Sequence, residues 1–348
     1  MVHELFGDAL PERYGKPRTV PPPVGESWEC WDENRVRNGP YAGRTLAELR
    51  AELGSALLGD LDPAQRFPVL TKIIDAQAAL SVQVHPDDAY AQRVEGQPVG
   101  KTECWYVLDR KAGAELVLGW TRDTTREEYE RRVADGTLGD ILRRVPVQPG
   151  DVFYLPAGTL HAIGAGIEIF EVQQASDLTY RIFDWNRVGA DGKPRELHVA
   201  KAGDVLDYRA TFPDRVPPLA YTTDGAEHEL LIADPRFLVE RIRVTGNETR
   251  LDLDNLPLAI TAQGAHLRVD AGEGSAVLAP WETCVVPAGA GSAVLVPGGE
   301  SEPAALVVHV APLLGRAALR ARDGGASEAA VDAFFIRFQS FQASSKHV

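Results

Sequence analysis

Cysteine, long apolar runs and clustered positive charge are all in short supply in this chain. The three cysteines in 348 residues, Cys30, Cys104 and Cys284, are scattered and form no Cys-x-x-Cys pair. That excludes a disulfide framework and a thiolate zinc site, and it leaves buried thiols as their reading. No apolar run approaches the roughly 18 residues that a membrane span needs. The opening MVHELFGDALPERYG lacks the basic and apolar regions of a signal peptide. A cytoplasmic protein without a membrane partner is therefore expected. Lysine and arginine number 36 against 50 acidic residues, a net charge of -14. Nucleic acid and anionic membranes both call for clustered cations, so neither is an expected partner. A small anionic substrate would need local cations against this background, which gives weight to any Lys or Arg near a site.

What is present is an ordinary globular composition, 44% hydrophobic and 25% charged, at a length that predicts two domains. The stretch PERYGKPRTVPPPVGESWE predicts irregular backbone leading into a short strand. Helical patterning follows over 45–60, with Thr45 as N-cap, and again over 124–145. Elsewhere FPVLTKIIDA, LSVQVH, ECWYVLD, AELVLGW, GDVFYLPAG, IEIFEVQQA and LTYRIFDW read as short strands of a sandwich or barrel. A weak internal repeat sets Pro156, Ala157 and Gly158 against Pro287, Ala288 and Gly289, so two related β units are expected. Ser292 stands where the first copy has His161, which predicts a metal in the first unit alone. A Pro-rich stretch places the boundary near residue 210. The division is then a metal-binding unit at 1–210, a second, degenerate unit without metal ligands at 211–312, and a helical extension at 313–348. Val331, Phe334, Phe338 and Phe341 line one face of that extension, predicted to dock on its own chain, with a dimer contact as the alternative. Monomer and homodimer both stay open.

His85 ends the run LSVQVH and can be a ligand or a turn residue. Strand residues two apart share a face, so Gln83 and His85 can approach one ion while Val82 and Val84 pack behind. Glu103 and Lys101 are likewise two apart, and the Gly150 to Gly158 turn region delivers His161. Two histidines, a carboxylate and an amide on short strands suit zinc or a neighbouring divalent ion. His198 reads as a helix packing residue. His228, His266 and His309 show no pairing at ligand spacing. Gln83 also reads as a surface strand residue, and Glu171 and Arg181 as partners in a structural salt bridge.

The spacing Gly150, Pro156, Gly158, His161 is similar to the second motif of the cupins, and QVH stands at their first. GESWE, FPVLTKIIDAQAALSVQVHPDDAYA, GKTECWYVL, GDVFYLPAGTLHAIG, SDLTYRIFDW and RELHVAKA together resemble the short bacterial form of type I mannose-6-phosphate isomerase. The resemblance implies a mainly β fold of two cupin-like β-barrel or jelly-roll units with a few short helices. It implies one zinc per chain on Gln83, His85, Glu103 and His161. Lys101 is carried over as a substrate contact, and Arg181, Glu171 and Asp177 as further catalytic residues. Two departures stand out. Tyr14 and Gly15 replace a Trp-Gly pair, and Gly100 replaces a histidine found before the lysine in some members.

The implied reaction interconverts mannose 6-phosphate and fructose 6-phosphate. Protons must move between C1 and C2 and between the two oxygens, through an enediolate. A zinc can stabilise the oxyanion, and a positioned acid-base group adds about 10²- to 10⁴-fold. Arg181 and Lys101 can each hold the phosphate or the oxyanion. Glu171 and Asp177 are carboxylates that could shuttle protons, and the base stays unassigned. The competing classes are a non-catalytic sugar-phosphate-binding cupin and a metal-dependent cupin dioxygenase, and retention of both cations favours the isomerase.

Overall fold

In the computed structural model, which describes residues 9–17, 24–188, 192–210, 215–299 and 303–344 with side chains through Gln339, the β-rich runs become strands. The Pro-rich stretch at 18–23 and the side chain of Phe341 lie outside the described residues. The first ten strands are β1 (Glu26–Cys30), β2 (Val69–Ala76), β3 (Val82–Val84), β4 (Glu103–Arg110), β5 (Glu115–Trp120), β6 (Leu142–Pro146), β7 (Val152–Leu155), β8 (His161–Ala162), β9 (Ile167–Gln174) and β10 (Tyr180–Phe183). The next ten are β11 (Leu219–Thr223), β12 (Ala226–Ala233), β13 (Phe237–Val244), β14 (Thr249–Asp252), β15 (Leu258–Gln263), β16 (Leu267–Ala271), β17 (Gly274–Leu278), β18 (Thr283–Val286), β19 (Ser292–Pro297) and β20 (Ala304–Val310). The fold is mainly β, as expected.

Two compact units divide the chain. One gathers 1–27, 72–216 and 341–348, and the other gathers 28–71 and 217–340. A single cut near residue 210 misses that 28–71 clusters with the later residues. The first unit holds the sheets β1-β2-β9-β4-β7 and β10-β3-β8-β5-β6, and the second holds β11-β12-β13-β20-β15-β18 and β14-β19-β16-β17. Stripped of their outer strands, β2-β9-β4-β7 has the order of β13-β20-β15-β18, and β3-β8-β5-β6 that of β14-β19-β16-β17. Both units are therefore built on one double-sheet plan, and the paired turns at 156–158 and 287–289 occupy the same place in it.

In the first unit, Trp105, Val107, Leu116, Leu118, Phe153, Leu155 and Ile169 fill one core. A second layer lies behind the β3 sheet, where Val82, Val84, Ala162 and Ile182 pack on Tyr129, Leu138, Ala202 and Val205. Alternation then leaves Gln83, His161 and Arg181 on the other face of that sheet. Truncating a buried Leu or Ile in such a core costs about 2–5 kcal/mol, so the strands that carry the site are firmly held.

Local signals explain the helices. Thr45 caps Leu46–Leu53, with reciprocal bonds to Glu48 of 3.1 and 2.7 Å forming a capping box. The helical pattern read over 124–145 needs correction. Helix Arg126–Ala134 stops where Gly136 takes φ 73°, and the chain continues as a 3₁₀ turn at Leu138–Ile141 and strand β6. Burial of Leu142 and Val145 in the two cores on either face of β6 outweighs their helical period. In helix Glu328–Ser344, Val331, Phe334 and Phe338 are 0, 4 and 1% exposed, so that stripe docks on its own chain.

Candidate metal centre

His85 follows β3, Glu103 opens β4 and His161 opens β8, and all three are buried. Their ligand atoms lie within 4.8 Å of one another, and among the described residues no other three His, Cys, Asp or Glu side chains gather in this way. Glu103 Oε2 is 3.4 Å from His85 Nε2, and Oε1 is 3.2 Å from His161 Nε2. The ring centroids are 4.9 Å apart.

The protons show what this group is for. His85 Nδ1 is 2.7 Å from Leu178 O, and His161 Nδ1 is 2.8 Å from Thr159 O. A carbonyl only accepts, so each Nδ1 carries a proton, and the tautomer that this selects has its Nε2 lone pair turned inward. Burial, joined by the Lys101 charge, depresses His85 to about 3 and keeps that ring neutral. Burial works against charge on Glu103, yet the Lys101 charge beside it outweighs that and holds the carboxyl well below its usual range. Lone pairs thus converge from three sides. His161 Nε2 and Glu103 Oε1 have no hydrogen-bond partner among the described residues, while Lys101 Nζ lies 2.8 Å from Glu103 Oε2. Buried acceptors facing one another are costly, Lys101 answers Glu103 Oε2 and His85 Nε2 but not His161 Nε2 or Glu103 Oε1, and two imidazoles with a carboxylate make an N/O set for a divalent ion. The three residues form a metal-binding group.

Gln83 lies in register with both His161 on β8 and Arg181 on β10, so the three side chains share one face. Lys101, also buried, has its Nζ 2.8 Å from Glu103 Oε2 and 3.2 Å from His85 Nε2. Arg181 donates from Nη1 to Glu196 O at 3.0 Å, while its Nε is buried with no hydrogen-bond partner among the described residues. Glu171 is buried on β9 opposite Trp105, whose Nε1 donates to it at 2.9 Å. Burial, and then Glu103, raise its carboxyl above the ordinary value. Asp177 differs from these. It is exposed in the turn before β10, and its one described contact is a backbone one, through its carbonyl to Thr179.

Several residues at the site had no part in the sequence reading. Lys72, in the fully buried strand β2, places Nζ 3.5 Å from Glu171 Oε1 and 3.7 Å from Glu26 Oε2. Burial opposes its charge, but Glu171, Glu26 and Glu103 outweigh that and raise its pKa. A lysine inside the apolar run VLTKIIDA was the available signal. Gln173 pairs opposite Glu103, and its buried Oε1 has no hydrogen-bond partner among the described residues. Trp105 sets its ring edge against His161, centroids 5.3 Å apart. His228 and His309 also need correction. In the second unit they converge on one carboxylate, Glu240, at 3.0 and 3.5 Å.

Gly100 explains one departure. A Cβ there would lie 2.2 Å from Pro86 O and 2.4 Å from Asp87 C, so no side chain fits before Lys101. The close approach is fastened by the Lys101 N–H, which donates to Pro86 O at 3.0 Å.

The family model for phosphomannose isomerase type I, catalytic domain, matches residues 15–125. Mannose-6-phosphate isomerase ManA of Bacillus subtilis is 46% identical over 200 residues, 56% of this chain and 62% of its own length. The chain thus spans under two thirds of that relative. A probable mannose-6-phosphate isomerase, GmuF, of the same organism is 40% identical over 255 residues, 70% of this chain and 75% of its own. The crystal structure of the mannose 6-phosphate isomerase from Bacillus subtilis matches with a TM-score of 0.79 at 30% identity, covering 89% of this chain and 97% of that one. With three quarters of one relative and nearly all of a solved one covered at these identities, the chain belongs to the type I mannose-6-phosphate isomerase family.

Proposed function

We propose that this chain is a zinc-dependent aldose-ketose isomerase that interconverts mannose 6-phosphate and fructose 6-phosphate. The convergence of the buried His85, Glu103 and His161 side chains, with Lys101 beside them and Arg181 on the same face of the sheet as Gln83, carries the reading. Gln83, in register with His161, completes a set of four ligands. A zinc held there supplies Lewis acidity to the sugar oxygens, which lowers the cost of the enediolate charge.

The chain's own residues would do the rest. Lys101, already beside the ligand atoms, is placed to donate to a sugar oxygen. Arg181 offers its unpartnered Nε–H from the adjacent strand, a fixed charge that needs no reorganisation as negative charge grows. Glu171 has the raised affinity for a proton that suits a carboxyl taking one up and giving it back. Trp105 and Lys72 hold it in place. Asp177, exposed, is assigned only a peripheral role.

The metal and the chemistry are placed in the first unit, and none in the second. A cytoplasmic setting, without nucleic acid or membrane partners, belongs to the same reading. It draws on the acidic composition and on the finding that no described helix is long and apolar enough to cross a membrane. The non-catalytic sugar-phosphate binder is the competing possibility, because it would keep the same contacts without turnover. A coupled assay with mannose 6-phosphate decides between them. Turnover that disappears with a chelator and returns with zinc is expected, and binding without turnover would sink the proposal.

A further inference from the structure

Arg181 sits on β10, the outer strand of its sheet, where backbone groups on the open side would normally lack partners. Here the segment before helix Val199–Val205 takes the place of a strand. The His198 N–H donates to Arg181 O at 2.7 Å, and the Arg181 N–H donates to His198 Nδ1 at 3.1 Å. Glu196 O accepts from the Arg181 guanidinium at 3.0 Å. With both backbone groups of Arg181 taken by His198, its pair with Gln83 is of the non-hydrogen-bonded kind, in which facing side chains approach most closely. The grip on the backbone therefore also sets how near Arg181 comes to the ligand row.

A backbone N–H can only donate, so His198 Nδ1 must present a lone pair, and the neutral ring carries its proton on Nε2. We propose that His198 is a positioning residue for the isomerisation, its neutral imidazole standing in for a missing strand and fixing the aim of Arg181. This rests on the reading that Arg181 serves the reaction.

The test uses the zinc-loaded enzyme and three variants, with kcat, KM, zinc content and Tm measured for each. In His198→Asn the amide oxygen can replace Nδ1 as acceptor, whereas His198→Phe has none. His198→Phe is expected to lose about 10- to 10²-fold in kcat, with zinc retained and KM little changed. His198→Asn should recover most of that loss, because its amide oxygen keeps an acceptor for the Arg181 N–H. Equal losses in both variants would show that the ring merely packs, and a parent-like His198→Phe beside an inactive Arg181→Ala would remove the positioning role. Full activity in Arg181→Ala would overturn the proposal together with the Arg181 reading beneath it.

Discussion

The two units share a strand order and differ at the residues that matter for chemistry. Glu103 and Leu258 are equivalent, since each pairs with the residue before the proline of its turn, Leu155 or Val286. Gln173 and His309 lie opposite that pair, and Gln83 and Asp252 lie opposite His161 and Ser292. By count, His85 then corresponds to Asp254. His, Glu and His in the first unit have become Asp, Leu and Ser in the second. Asp254 is bound by Arg316 and, at 3.4 Å, by Arg320 of helix Leu314–Asp323. Ionisable residues of the second unit gather on other strands instead, where Glu240, 1% exposed, takes bonds from Tyr221 and His228 and lies 3.5 Å from His309. One plan thus serves two ends. In the first unit buried acceptors outnumber the donors beside them, a ligand's arrangement, while in the second Tyr221 and His228 bond the one buried carboxylate, an arrangement that supports a fold.

That contrast can be broken most sharply at His161. His161→Ala is expected to remove the single zinc and to cost on the order of 10³-fold or more in activity. Elemental analysis beside the coupled assay reads both, and retention of full zinc would place the metal elsewhere. Next in size is Lys101→Met, which should keep the zinc and the fold yet lose about 10²-fold in kcat. Near-normal turnover would make Lys101 a mere counter-charge to Glu103.

Much of the first unit could be read in its sequence. The alternation of Val82, Gln83, Val84 and His85 predicted which side chains turn inward, and the Pro156 to Gly158 turn predicted His161. Those signals are local, because period and turn chemistry act over a few residues. Lys72 escaped because its partner, Glu171, is brought to it only by the pairing of distant strands. The cluster on Glu240 escaped for the same reason, its members coming from β12, β13 and β20. Asp177 was carried over by resemblance alone, and the turn that holds it leaves it in solvent.

Smaller effects sharpen the comparison from the second side. Burial resists charge on Glu240, but the bonds from His228 and His309 prevail and hold its carboxyl well below the ordinary range. A carboxyl lowered in the folded state contributes stability above its unfolded pKa of about 4.3, and that stability is lost as pH falls below it. Glu240→Gln should therefore leave kcat alone, lower stability at neutral pH by about 1–3 kcal/mol, and flatten the loss of stability on acidification. Denaturant unfolding at neutral and acid pH checks this, and an unchanged acid slope would discount the cluster. The smallest effect is expected from Ser292→His. With Leu258 where the first unit has Glu103, one restored histidine should recruit no second zinc, and a stoichiometry of two would mean that the turn alone specifies the metal.

The contact at Gly100 also bears on how this site can vary. Every base change that alters the meaning of a glycine codon adds at least a Cβ or ends the chain, and here a Cβ would strike the backbone of Pro86 and Asp87. Position 100 is thus closed to single-step drift, although the residue itself touches no ligand. A variant library around Lys101 must treat 86–87 and 100 as one block, because a histidine before the lysine becomes reachable only after the facing backbone of Pro86 and Asp87 has already moved.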